Sequence, residues 1–216
     1  MLIQVSINMK FEELDAIPYL NEQGYVIPHK EWERDEQMDA LQFVPRDATV
    51  LELGARYGTV SCAINSVLDN PERHVAVEPD LSVYYALMGN RDRHGCKFLI
   101  MDGVVSKTPV FMRREGYSTH IVGDLGAATF EAKTMSYDQL EASTGLVFDC
   151  LVADMEGGLL AFLEENIDKV RNYRAVLFEC DGDCDYGRVR AILAKHGLYE
   201  AKAGFHSVWI RAEPQA

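Results

Sequence analysis

The sequence predicts an α/β fold, in which an open and mostly parallel sheet is covered by helices on both faces. From residue 49 onward, short apolar runs typical of buried strands alternate with stretches whose apolar residues recur at helical spacing. Alternation of this kind is typical of βαβ units, whose right-handed crossovers bring successive strands into one parallel sheet. The length of 216 residues suits one domain with a full core.

The predicted core elements begin with a strand at Val50–Leu53 and a helix over residues 58–68 that Asn70-Pro71 ends. The next elements are a strand in HVAVEPD (74–80), a helix over 81–94 closed by Gly95, strands in KFLIMD (97–102), CLVAD (150–154) and AVLFEC (175–180), a helix between the last two, and a helix through Val189 and Leu193 that ends before Gly197. The tail YEAKAGFHSVWIRA predicts two closing strands, partly antiparallel, so that the sheet has seven strands.

Two stretches depart from this alternation. Residues 1–48 form an N-terminal strand/helix lid segment, in which EWERDEQMDALQFV (31–44) has helical spacing. Residues 104–147 are predicted to insert two strands, one in PVFMRREGYSTHIVGD and one in FEAKTMSYDQL. The sequence therefore predicts a single domain with a small lid segment at 1–48 and the main domain at 49–216.

Charge and hydropathy narrow the classes of partner. The formal net charge of -13 disfavours nucleic acid, because proteins that bind phosphates usually present a basic face. No apolar run approaches the ~20 residues of a membrane span, and the first residues lack the pattern of a signal peptide. The five cysteines show no disulfide or metal spacing. We expect a cytoplasmic protein that acts on a small or neutral partner.

Acidic residues close four of the predicted core strands: Glu78, Asp102, Asp154 and Glu179. In an open α/β sheet these ends share the rim where ligands bind. The first strand ends in a turn with two glycines, Gly54 and Gly58, but Arg56 occupies the position of the middle glycine of the dinucleotide motif G-x-G-x-x-G. A pyrophosphate would be crowded there, so a dinucleotide is disfavoured.

A cationic nucleoside suits this rim better. Glu52 precedes the turn and would face a sulfonium or ammonium charge. Glu78, followed by Pro79, would accept the ribose hydroxyls, and Asp102 with Gly103 would bind an adenine amino group. The turn itself supplies Gly54, Ala55, Arg56 and Gly58, and Asp154 closes the site. This arrangement predicts S-adenosyl-L-methionine as the cofactor and S-adenosyl-L-homocysteine as its product.

Several motifs, in order, resemble class I methyltransferases with a Rossmann-like fold, and specifically the FkbM-type family: VLELGARYG, VAVEPD, IMDGVVS, MSYDQL and CLVADMEGGLLAFL. The more specific segment is Asp154-Met155-Glu156-Gly157, followed by a helix and a strand ending in Glu179. The resemblance covers roughly residues 48–200. The chain departs from it at Arg56-Tyr57, where the family favours Asn and a small apolar residue, and in the acidic ECDGDCD.

The resemblance implies methyl transfer, in which the protein positions a nucleophile and removes its proton. We predict Asp154 as general base or acceptor-orienting residue and Glu179 as its support, the two carboxyl groups raising each other's pKa. The rival bases are His29, His120 and His206. A divalent metal held by Asp154 with Glu179 or Asp181 is an alternative, as is a solvated turn formed by the acids that follow Glu179.

The resemblance also indicates the acceptor. Members of this family are associated with hydroxyls of sugars and polyketides, so the expected activity is O-methylation of a sugar or glycan, for example a deoxyhexose such as rhamnose. The alternatives are methyl transfer to another small molecule or to protein, and a catalytically silent S-adenosylmethionine-binding module within a larger glycan-building protein.

Overall fold

The computed structural model of the chain describes residues 2–212, with the side chains of residues 2–6 and 8 left out. Residue 1 of the predicted lid segment (1–48) and residues 213–216 of the predicted main domain (49–216) lie outside the described residues.

Helices and strands alternate through most of the chain. The α-helices are α1 (Leu2–Asp15), α2 (His29–Trp32), α3 (Arg34–Phe43), α4 (Thr59–Val67), α5 (Tyr84–Arg93), α6 (Tyr137–Thr144), α7 (Leu159–Glu165) and α8 (Tyr186–Lys195), with a 3-10 turn at Val170–Asn172. The strands are β1 (Val50–Leu53), β2 (His74–Glu78), β3 (Leu99–Asp102), β4 (Val104–Val105), β5 (Val110–Glu115), β6 (Ser118–Val122), β7 (Phe130–Ala132), β8 (Thr134–Met135), β9 (Cys150–Ala153), β10 (Ala175–Glu179), β11 (Leu198–Lys202) and β12 (His206–Arg211).

Seven strands form one sheet in the order β3-β2-β1-β9-β10-β12-β11. Every neighbouring pair from β3 to β10 is parallel, and β12 is antiparallel to both of its neighbours. The predicted seven-stranded, mostly parallel sheet is thus confirmed. The order reverses between β1 and β9, and this is the switch point at which such folds bind ligands.

Side chains alternate between two buried layers, because successive strand residues point to opposite faces. Val50 packs with α1, α3, α4 and α5 on one face. Leu51 and Leu53 pack with α6, α7 and α8 on the other. Helices therefore cover both faces, as predicted, and the N-terminal helices α1 and α3 belong to the first layer.

The same alternation sends the acids at the strand ends to one face. Residues 52, 78, 154 and 179 are each an even number of positions from a strand residue buried in the first layer. His206, two residues before the buried Val208, shares this direction. These side chains therefore project from the sheet toward α3 and the N-terminal segment.

The N-terminal segment differs from its prediction. It contains three helices, and within residues 2–48 the strand part is reduced to one antiparallel bridge between Leu20 and Val26. The bridge cannot extend because Asn21 folds the chain back at once, its side-chain oxygen accepting from the backbone N–H groups of Gln23 and Tyr25 at 3.1 and 2.8 Å.

The insertion is also richer than predicted. Instead of two strands, residues 104–147 hold the antiparallel sheet β6-β5-β7, the parallel pair β4-β8 and helix α6. PVFMRREGYSTHIVGD forms the two strands β5 and β6 where one was predicted. In FEAKTMSYDQL, Ser136 starts a helix by a capping box with Gln139.

No described helix is both long enough and apolar enough to cross a bilayer.

Candidate functional site

A cavity opens at the carboxyl ends of β1, β2 and β9 and is roofed by α3 and the β5–β6 hairpin. The structure brings together seven of the residues predicted from the sequence: Glu52, Gly54, Ala55, Arg56, Glu78, Pro79 and Asp154. It leaves five others outside the cavity wall: Gly58, Asp102, Gly103, Glu179 and Asp181.

The glycine turn is shaped by the protein itself. Gly54 has φ +90°, and a Cβ there would lie 1.8 Å from the carbonyl oxygen of Asp154. Gly58 has φ +80° just before α4, and a Cβ there would lie 2.7 Å from Leu87 Cδ1. The sequence interpretation assigned these glycines to a nearby ligand, but close approach within the protein already requires them.

The backbone of Arg56 and the side chain of Glu78 hold each other in place at the middle of the rim formed by the strand ends. Arg56 has a left-handed backbone, φ +45°, which is uncommon for a side chain other than glycine. Its backbone N–H donates to Glu78 Oε2 at 2.8 Å, and that of Asp80 donates to Oε1 at 2.7 Å. Because a carboxylate has about four acceptor sites, Glu78 keeps capacity for further donors. Burial raises the pKa of Glu78 to about 7, against the lowering effect of these two N–H groups.

The Arg56 side chain explains how a long residue fits at this position of the turn. Its guanidinium lies 3.4 Å from Asp80 Oδ2 and about 5 Å from the ring centroids of Tyr57 and Tyr117. Arg114 pairs with the other oxygen of Asp80 at 2.8 Å. Arg56 is thus folded against the wall under the β5–β6 hairpin.

Glu52 has a partner that the sequence did not reveal. Its side chain is buried, and Oε2 lies 2.9 Å from Nε2 of the buried His74. Glu52 contributes to the cavity wall, but its carboxylate is paired within the first core layer. The Glu52 carboxylate therefore has a histidine partner, and its role of facing a cofactor charge stays a prediction.

Asp102 and Gly103 lie apart from the cavity. Asp102 borders a second groove with Tyr84 and Lys133. A Cβ on Gly103 would lie 2.2 Å from the Lys133 carbonyl oxygen, so backbone crowding accounts for this glycine too. The next residues, Val104 and Val105, contribute apolar surface to the cavity instead.

The far end of the cavity is acidic. Glu33, Glu36, Asp154 and Glu156 all line it. The pKa of Asp154 is raised, first by burial and then by the charges of Glu179 and Asp181. Burial likewise raises the pKa of Glu36, followed by the charge of Asp154. This end of the cavity favours a bound proton, a cation or a group that gives up a proton.

Glu179 lies just behind this end. Burial, followed by the charge of Asp181, raises its pKa to about 7, while a hydrogen bond with Glu36 opposes the rise. Of the acids that follow it, Asp185 caps helix α8 by accepting from the Arg188 N–H at 3.1 Å. Asp181 is contacted by the Tyr186 hydroxyl through its carbonyl and carboxylate oxygens. These two acids therefore have structural partners in the turn.

The three histidines considered as bases have different surroundings. His29 is buried and lies 3.0 Å from Asp15, remote from the cavity wall. His120, on β6, lies 3.4 Å from Glu156. His206 lies beside Glu36 and Glu179. Geometry thus removes His29 from the group and keeps the other two near the acidic end.

Several wall residues were missed from the sequence. Glu36 comes from the first turn of α3 and Glu33 from the position just before it, and Tyr117, Ser118 and Thr119 come from the β5–β6 hairpin. The spacing of three between the two glutamates is a signal for a shared helix face, but nothing in the sequence indicates that α3 crosses the sheet rim.

The left-handed backbone of Glu156, φ +47°, is a further unusual feature of the wall. Like that of Arg56, it occurs in a loop at the end of a central strand, and such strained residues concentrate at functional sites. The two loops flank the switch point from opposite sides.

Comparisons with known proteins bear on the fold. One neighbour is a protein of the NADB-Rossmann superfamily from Streptococcus agalactiae, with a TM-score of 0.50 and 14% identity over 84% of this chain and 69% of that one. The fold is Rossmann-like. Another is a proposed tRNA (m1A22) methyltransferase from Streptococcus pneumoniae, in complex with S-adenosyl-L-methionine, with a TM-score of 0.51 and 16% identity over 85% of this chain and 75% of that one. No protein-family model and no curated protein matches the chain.

Proposed function

We propose that this protein is an S-adenosyl-L-methionine-dependent methyltransferase. The observation that carries the proposal is the cavity at the switch point, where a buried carboxylate at the end of β2, Glu78, is held by two backbone N–H groups and keeps acceptor capacity. An acid at this position suits ribose hydroxyls. The similarity in fold to a structure that contains this cofactor supports the same assignment.

In the proposed complex the nucleoside lies along the glycine turn. Ala55, Arg56 and Pro79 contribute wall near Glu78, and Val104 and Val105 offer apolar surface to the base. Gly54 brings the backbone of β1 against Asp154, and the methionine end of the proposed cofactor would lie beside the acidic end. The cofactor supplies the methyl group on a sulfonium, and the chain supplies position and a proton acceptor.

Asp154 is the proposed general base or acceptor-orienting residue. Burial and the charges of Glu179 and Asp181 raise its pKa, which makes the ionised carboxylate a stronger proton acceptor. Transfer would form a bond between the acceptor oxygen and the methyl carbon, break the carbon–sulfur bond, and leave the hydroxyl proton on the base and S-adenosyl-L-homocysteine as product. Glu179, behind the wall, is the proposed support.

A hydroxyl of a sugar or glycan is the proposed acceptor, with a deoxyhexose such as rhamnose as the example. The FkbM-type resemblance supports it, and so does an aromatic group at the cavity mouth. Trp32 packs edge-on against Tyr117 with ring centroids 5.1 Å apart, and Trp32 remains more than half exposed. Exposed aromatic rings with neighbouring carboxylates suit the apolar face and the hydroxyls of a sugar.

The remaining parts of the proposal concern the class of acceptor, the location of the protein and the polypeptide in which it acts. The acidic net charge favours a small or glycan acceptor over nucleic acid. We also propose a cytoplasmic location. Action within a larger glycan-assembly polypeptide is compatible with the same chemistry.

The test is incubation with methyl-labelled S-adenosyl-L-methionine and a panel of glycosides, RNA and polypeptide. The proposal is supported if the wild type labels a glycoside and Asp154→Asn leaves the same glycoside unlabelled. Label on RNA or polypeptide alone contradicts the sugar acceptor and keeps methyl transfer. Cofactor binding without label on any acceptor supports a silent module, and no cofactor binding contradicts the whole proposal.

A further inference from the structure

Three side chains from three separate elements meet behind the acidic end of the cavity: Glu36 of α3, Glu179 at the end of β10, and His206 at the start of β12. One potential ligand atom from each lies within 4.8 Å of the other two. Glu179 and His206 are direct partners across the antiparallel β10–β12 pair, so backbone pairing fixes their separation. Contact of α3 with both strands brings Glu36 to them.

In the part of the chain that the structure describes, the two partly buried carboxylates of this trio have no lysine or arginine beside them. Within residues 2–212, neither Glu36 nor Glu179 forms an ion pair with a lysine or arginine. The nearby Lys202 is engaged elsewhere, donating to both carboxylate oxygens of Asp39 at 2.7 Å. Asp154, Glu33 and Asp181 add negative charge around the trio.

His206 distinguishes the trio from an acidic cluster. Its Nδ1 is buried without a hydrogen-bond partner and lies 3.9 Å from Glu36 Oε1, too far for a hydrogen bond. A buried ring nitrogen without a partner is costly unless something binds it. An imidazole nitrogen with two carboxylate oxygens is a ligand set for a divalent transition metal such as Mn²⁺, Fe²⁺ or Zn²⁺.

We infer that Glu36, Glu179 and His206 form a site for a divalent transition-metal ion. Three protein ligands leave coordination positions open to water or to an oxygen of a bound molecule. The site differs from the one considered from the sequence, because Glu36 and His206 replace Asp154 and Asp181 as ligands. Its positive charge would offset the carboxylates that surround it.

The site adjoins the main cavity. Glu36 lines that cavity and also a small pocket that reaches His206. An ion bound there would lie at the acceptor end, beside Asp154, and could bind and acidify an acceptor hydroxyl. This use of the ion depends on the proposed methyl transfer, whereas ion binding itself does not.

The test measures Mn²⁺ binding to the full chain, freed of metal by chelator, with neither cofactor nor acceptor present. Free Mn²⁺ is followed by electron paramagnetic resonance. We expect one Mn²⁺ per chain, and we expect Glu36→Gln and His206→Ala each to weaken binding by more than about tenfold. Asp183→Asn, which removes an exposed charge from the adjacent turn, is the matched control and should bind like the wild type.

Circular dichroism and thermal unfolding of each variant separate loss of ligand from loss of fold, and the isosteric Glu36→Gln is the variant most compatible with an intact fold. Absence of Mn²⁺ binding to the wild type, or equal affinity in Glu36→Gln and wild type, would overturn the inference. Binding lost in Asp154→Asn but retained in Glu36→Gln and His206→Ala would also overturn it, because the ion would then lie elsewhere.

Discussion

At the scale of single residues, Gly54 shows how closely two strand ends approach at the switch point. A Cβ there would lie 1.8 Å from the Asp154 carbonyl oxygen, a backbone atom that cannot rotate away. We expect Gly54→Ala to lower the free energy of unfolding by more than about 3 kcal/mol, because backbone strain and a steric clash add. Chemical denaturation measures the change.

Gly24 provides the matched control for that substitution. Its φ of +83° is nearly the same, but an added Cβ would meet no atom within 4 Å. Gly24→Ala should therefore cost only the conformational penalty, about 1 kcal/mol. Equal losses in the two variants would mean that the strand ends separate easily and that the clash is relieved.

The ionisation of Glu78 should make cofactor affinity depend on pH. Its pKa in the folded chain is about 7, raised by burial, and its charged neighbours are Arg56 and Asp80, with Arg114 beyond Asp80. The ionised carboxylate is the better acceptor for ribose hydroxyls, so S-adenosyl-L-methionine should bind more tightly as pH rises from about 5.5 to 8, with proton release on binding. Isothermal titration calorimetry in two buffers of different ionisation enthalpy measures both effects.

The same group contributes to stability with the opposite trend. Because the pKa of Glu78 in the folded chain lies above its ordinary value, its contribution to stability is fully present below about pH 4.5 and is lost as pH rises through about 7.

Glu78→Gln is the control for the pH dependence of cofactor affinity, and it should bind the cofactor weakly and with little dependence on pH between about 5.5 and 8. If Glu78→Gln kept the wild-type pH profile, a different group would control binding.

Asp154→Asn tests the proposed division between binding and chemistry. The amide keeps the size of the side chain but cannot accept the acceptor proton. We expect kcat to fall by about 10²-fold or more while affinity for the cofactor changes by less than about threefold. Measurement of kcat, together with calorimetry of cofactor binding, checks this. A large loss of cofactor affinity would give Asp154 a binding role instead.

At the scale of elements, the β5–β6 hairpin is joined to the N-terminal helices across the cavity. The Tyr117 hydroxyl donates to Glu33 Oε1 at 2.7 Å, and its ring packs against Trp32. Tyr117→Phe keeps the ring and removes a hydrogen bond of about 1 kcal/mol, so amide exchange in residues 113–122 should accelerate by about fivefold. Tyr199→Phe, on an exposed tyrosine of β11, should leave that exchange unchanged, and acceleration in both would remove the hairpin contact as the cause.

The core elements could be predicted because their signals are local. Val50–Leu53 and Cys150–Ala153 are short and wholly buried, so an apolar run identifies each strand, and Gly197, with φ +83°, ends α8 where expected. The insertion was harder, since its short strands are half exposed and carry no clean alternation. There Ser136 and Gln139 were the overlooked helix signal.

The site was predicted only where the topology determines it. Glu78 and Asp154 reach the cavity because parallel strands end at one rim. Glu36 could not be found this way, since its position depends on α3 packing across β10 and β12, a contact between distant parts of the chain. Asp102 ends β3 at a second groove and not at the cavity wall, so its predicted contact with the adenine amino group stays a prediction.

At the scale of the whole molecule, the first 48 residues complete one face of the sheet. Tyr19, Ala40 and Leu41 are buried in the same layer as β1. The Asn90 side chain joins this segment to α5 and the glycine turn, bonding to Leu20 N and O at 2.9 Å and to the Tyr57 carbonyl at 2.8 Å. The predicted division at residue 48 therefore invites a direct test.

We expect a chain of residues 49–216 alone to lose cooperative unfolding and to bind a hydrophobic dye, because a whole apolar face of its sheet would be uncovered. The full chain is the control, measured by circular dichroism and dye fluorescence. Cooperative unfolding of the shortened chain would instead support an independent main domain and an accessory N-terminal segment.

The close approach of the β1 and β9 ends has a consequence for how the sequence of such a protein evolves. Gly54 is required by the carbonyl of Asp154, whatever occupies the cavity. A descendant that did not bind the proposed cofactor would still be selected for glycine at this position, because replacing the glycine would lower stability whatever the cavity binds. The glycine turn is thus a record of architecture, and Glu78, whose buried charge costs stability unless a ligand uses it, is the better indicator of the proposed cofactor binding.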